Sequence, residues 1–106
     1  MNISFYRGDD HKVRFKFKNF TGAIDKMFFT VKDTNRVARI KKQLDNGISF
    51  YEGYYCIEFS PEDTDELPCY LDMIYDIEII VGGEKKTVAK GKFILEEDVT
   101  TPDCEV

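Results

Sequence analysis

One histidine, three cysteines and three prolines are spread through 106 residues. With a single imidazole, any Ser-His-Asp or Cys-His catalytic set would have to use His11 as its base. Cys56, Cys69 and Cys104 show no close pair at metal-ligand spacing. An odd count without a secretory leader points to reduced thiols in a cytosolic compartment. No apolar run approaches the roughly 20 residues of a bilayer-spanning helix. Met1-Asn2-Ile3-Ser4 lacks the basic and apolar regions of a signal sequence, so no membrane partner is expected. The sequon Asn19-Phe20-Thr21 is expected to stay unmodified.

What is present is charge and alternation. The hydrophobic share of 42% suffices for one modest core and one domain, expected over residues 1–100 with a tail at 101–106. Net charge is −5, unevenly distributed: residues 1–53 carry 11 Lys/Arg against 6 Asp/Glu, and residues 54–106 carry 4 against 14. The asymmetry fits basic and acidic strands on different surfaces of one fold, since the acidic half keeps a patterned core.

Period two dominates the chain. Val13, Phe15 and Phe17 alternate with Lys12, Arg14, Lys16 and Lys18, which reads as a half-buried strand with four cations on its wet face. Strands are also predicted over Ile3–Arg7, Lys26–Lys32, Ile48–Phe50 and Tyr55–Phe59. The stretch 36–44 fits helical spacing through Val37, Ile40 and Leu44, and alternation through Ala38, Ile40, Lys42 and Leu44; strand is preferred. Ser60-Pro61-Glu62-Asp63 reads as a short helix near residues 61–66, with Ser60 as N-cap and Pro68 limiting its length. Between Met73–Val81 and Ala89–Leu95, a three-residue loop (Gly82, Gly83, Glu84) with a bulge pairs Ile77 with Ala89, Tyr75 with Gly91 and Met73 with Phe93. A two-residue turn would mix the faces. On the other side Asp76 meets Lys90. Seven or eight such strands with one short helix predict an all-β antiparallel sandwich.

Candidate chemistry is thin. Gly8-Asp9-Asp10-His11 sets the histidine beside carboxylates, but three adjacent residues on a turn do not converge on a metal. Glu62, Asp63, Asp65 and Glu66 lie on a short exposed helix, where nothing separates their pKa values. Gly82-Gly83 has no following helix to cradle phosphate. The candidate contact surface is therefore Lys12, Arg14, Lys16 and Lys18. Single-stranded nucleic acid would need aromatic rings on that face, and Phe15 and Phe17 point the other way. Protection of a sheet edge, or an acidic partner, suits these cations better. No catalytic residue, metal, cofactor, small-molecule substrate or nucleic acid is expected.

Several short motifs occur in a familiar order: Tyr6-Arg7-Gly8-Asp9, Phe29-Thr30-Val31-Lys32, Gly47-Ile48, Phe59-Ser60-Pro61-Glu62-Asp63-Thr64, Leu67, Tyr75-Asp76-Ile77-Glu78, Gly91-Lys92-Phe93 and Asp98-Val99-Thr100. On these the chain resembles the small Ig-like β-sandwich proteins of tailed phages and prophages of Gram-positive bacteria. It is similar to the N-terminal domain of phage baseplate upper proteins. The absence of Trp and of a suitably placed Cys pair excludes a true immunoglobulin domain. The resemblance implies a non-catalytic structural or assembly module of a baseplate, tail or connector. It would work through protein-protein contacts with other phage structural proteins or with itself. It would be made in the bacterial host cytoplasm and then built into the virion. Two alternatives carry different chemistry. One is a soluble inhibitor presenting its acidic half to a host defence or regulatory protein. The other is glycan binding through Tyr51, Tyr54 and Tyr70.

Overall fold

The hairpin between β7 (Met73–Val81) and β8 (Glu84–Glu96) sets the register of the fold. Met73 pairs with Phe93, Tyr75 with Gly91, Ile77 with Ala89 and Asp76 with Lys90, as the alternation requires. The turn itself is a correction. Val81 pairs with Glu84, so the loop is the two residues Gly82 and Gly83, both at positive φ (58° and 83°). Such a turn suits the right-handed twist of a hairpin. Parity is restored by a bulge, because the register shifts between Ile77 and Glu78 and leaves Val88 unpaired. An ion pair on this hairpin's outer face joins Lys85 to Glu78 at 3.1 Å, nearer the turn than the expected Asp76–Lys90 pair.

A computed structural model describes residues 1–17, 24–69 and 72–97. The remaining elements are β1 (Ile3–Tyr6), β2 (His11–Phe15), β3 (Lys26–Lys32), β4 (Ala38–Leu44), β5 (Gly47–Tyr51), β6 (Tyr54–Phe59) and α1 (Pro61–Thr64). All eight strands join one sheet in the order β1-β8-β7-β3-β4-β5-β6-β2. The sheet curls until its ends meet: the Phe5 ring of β1 stacks on His11 of β2, with centroids 4.4 Å apart. The protein is all-β and nearly barrel-shaped.

The pairing is not wholly antiparallel, which corrects the sequence reading. β1 runs parallel to β8, and β4 meets β5 in parallel through two pairs, Gln43–Gly47 and Leu44–Ile48. Alternation within a strand fixes its face and is silent on the direction of its neighbour. The β4–β5 contact is a corner, with Asp45 (φ 70°) and Gly47 (φ 98°) in the left-handed region.

Residues 38–44 form a strand, the preferred of the two readings. Before it, the Asp33 carboxylate accepts the N–H groups of Asn35 (2.9 Å) and Val37 (3.0 Å) and the Arg39 Nε–H (2.8 Å). The Val37 N–H above all, with Arg39, holds its pKa below the ordinary value. Ile40 then turns into the core.

The expected 61–66 helix is one turn. Asp65 N–H donates to Pro61 O, but Leu67 N–H turns back to Thr64 O. Ser60 is the N-cap, as expected: its N–H donates to Asp63 Oδ2 at 2.8 Å, and Asp63 N–H donates to Ser60 O. Thr64 is fully buried, and its Oγ1 accepts the Gly8 N–H at 2.8 Å. Arg7 Nη1 donates to Leu67 O. The Arg7-Gly8 turn and the Pro61–Thr64 turn, distant in sequence, are thus one structural joint.

The core collects the inward residues of the curled sheet. Phe29, Val31, Tyr75, Ile77, Phe93 and Ile57 are among its buried members. Each large apolar side chain contributes roughly 1.5–3 kcal/mol on burial.

Candidate functional site on the outer face of β5, β6 and β2

β2 is an edge strand, the position in which outward cations discourage unwanted pairing. Its outward residues recur every roughly 6.7 Å, twice the strand rise. Lys12 lies opposite Glu58 and pairs with it at 3.7 Å, both side chains exposed. Such a pair contributes little stability. Arg14 lies opposite Cys56, and its side chain makes no hydrogen bond or ion pair among the described residues. Lys16 follows the strand, with its Nζ 5.2 Å from the centroid of the Tyr54 ring. Lys18 lies outside the described residues.

Three of the four expected cations therefore share one face, and that face also carries tyrosines. Tyr51 and Tyr54 pair across the β5–β6 hairpin and are 74% and 45% exposed. The sequence reading missed this juxtaposition because it sought aromatic rings on the cationic strand itself. A usable signal existed: Glu52-Gly53 is a two-residue turn with both φ positive, so Tyr51 and Tyr54 must flank it on one side. Tyr70, the third tyrosine considered, lies outside the described residues.

The inward side of the same strands ends in an aromatic cluster. Phe50 packs on Tyr55 (4.7 Å between centroids), Tyr55 on Phe15 (5.6 Å) and Phe15 on Phe17 (5.5 Å). Burial pushes the Tyr55 phenol up. Phe50 itself stays 57% exposed.

Beside β2, a cleft of about 560 Å³ opens between the sheet and α1, lined by His11, Lys42, Ser60 and Asp63 among others. His11 is committed to stacking on Phe5, and Lys42 Nζ donates to Asp63 Oδ2 at 2.8 Å. Burial pushes the Asp63 carboxyl up. Hydrogen bonds from Lys42 and the Ser60 N–H, with the Lys42 charge, outweigh it and hold the pKa below 3.8. A depressed carboxylate stabilises the fold above its unfolded pKa, and that stability is lost as pH falls through the folded value. Lys42→Met is expected to cost about 1 kcal/mol at neutral pH, allowing for partial solvent access. In urea unfolding the variant and parent curves should converge as the pH falls below the ordinary carboxylate range. The pair reads as a strut holding α1 to β4.

Cys56 and Cys69 are free thiols, and Cys104 lies outside the described residues. No helix among the described residues is long and apolar enough to cross a membrane. The chain matches no protein-family model and no curated protein.

Proposed function

We propose that the protein is a non-catalytic structural or assembly module of a tailed phage or prophage particle, in the baseplate, tail or connector. It acts through protein contacts with itself or with other particle components. One observation carries this reading: the aromatic cluster at the end of β2, β5 and β6 presents Phe50 to solvent at 57% exposure. Aromatic residues are enriched at protein interfaces, and large exposed ones in clusters mark contact sites. The motif order described above supplies the phage assignment. An Ig-like sandwich is the finer fold reading. It is supported by Phe59 of β6, whose ring meets Phe5, Phe29 and Phe93 from the other half of the sheet at 5.2–5.7 Å. Self-association in a closed ring is the expected form of assembly. The test is the oligomeric state of the chain and of its Phe50→Ser variant, with mass spectrometry of purified particles to locate the protein.

A further inference from the structure

The outward residues of β2, β6 and β5 form three rows across the strands. Lys12 stands beside Glu58, Arg14 beside Cys56 and Ser49, and Lys16 beside Tyr54 and Tyr51. The short side chains of Cys56 and Ser49 lie between taller rows. They form the floor of a trough of about 320 Å³, walled by Lys12, Arg14, Tyr51, Glu52, Tyr54 and Glu58. A cavity of this size holds one or two sugar rings. Arg14 reaches its edge without an ion-pair partner among the described residues.

We propose that this trough binds a saccharide unit bearing one anionic group, with its ring against Tyr51 and its carboxylate or phosphate on Arg14. An exposed phenol offers the flat apolar surface that the C–H face of a sugar covers, with a polar tip left in water. A free guanidinium is the side chain best shaped to take a carboxylate or phosphate through two parallel N–H bonds. Glu52 and Glu58 accept hydrogen bonds from sugar hydroxyls and repel a polyanion, which favours a small sugar with one anionic group per ring over single-stranded nucleic acid. The trough is open, so affinity is modest, about 1 mM.

The full chain is titrated by NMR with a galacturonic acid dimer, glucose 6-phosphate, neutral lactose and a thymidine decanucleotide. The expected result is binding of one or both acidic sugars, with resonances of Tyr51, Cys56 and Arg14 moving and lactose at least about 5-fold weaker. The carboxylate and phosphate arms distinguish the two anion sources. Arg14→Gln should erase the preference over lactose, and Tyr51→Ala should weaken all sugars about 10-fold. Both residues are exposed, so unchanged melting temperatures accompany these losses. The proposal is overturned if neither acidic sugar binds, if binding survives both substitutions, or if the decanucleotide binds more tightly than either acidic sugar.

Discussion

Phe59→Ala is expected to lower stability by about 4 kcal/mol, the range for removing a buried aromatic ring. Phe59 is 3% exposed and packs against three other phenyl rings, Phe5 on β1, Phe29 on β3 and Phe93 on β8. These belong to strands that β6 never pairs with, so the ring ties together parts of the sheet that no backbone ladder joins directly. In a domain whose total stability is about 5–15 kcal/mol, such a loss leaves a marginal fold. The melting temperature should fall by about 20 °C. Phe59→Leu, which keeps most of the volume, should cost under half as much. A loss below about 1 kcal/mol for the alanine variant would mean the curled sheet is not packed as described.

Gly91→Ala should cost about 2 kcal/mol, and here the sign matters more than the size. At an unobstructed strand position, alanine in place of glycine is neutral to stabilising, because glycine loses more freedom on folding. Gly91 has no left-handed backbone to explain it; its requirement is room. A Cβ there would run into the Met1 carbonyl and lie 3.1 Å from Tyr75 Cε1. That same carbonyl accepts the Tyr75 hydroxyl, and Lys92 N–H donates to Asn2 Oδ1 at 3.1 Å. The substitution therefore pushes the start of the chain off the hairpin and leaves a buried phenol without its acceptor. Urea unfolding measures the effect. A neutral or stabilising result would show that Met1 and Asn2 do not cover this strand.

Much of the fold was legible because side-chain period in a strand is rigidly two. Lys26–Lys32 was bounded as observed, and the Tyr75–Gly91 pairing followed from parity alone. What parity could not supply was the means of satisfying it. A three-residue loop and a two-residue turn with a bulge give the same pairs below Ile77. Strand direction was also hidden, since β1 and β8 carry the same alternation in either orientation. Lys42 shows a further limit: alternation places it with Ala38, Ile40 and Leu44, and its partner Asp63 comes from another element. The candidate face was half legible. Its cations lie on one strand and could be read from spacing, whereas its tyrosines arrive from a hairpin 35 or more residues further on.

The proposed contact surface is the aromatic end of β2, β5 and β6. Light scattering coupled to gel filtration, over a wide concentration range, tests it on the intact chain and on Phe50→Ser. The expected result is a parent that forms a defined oligomer and a variant that stays monomeric with an unchanged melting temperature. A parent that is monomeric at every concentration, with no partner from purified particles lost by the variant, would contradict it.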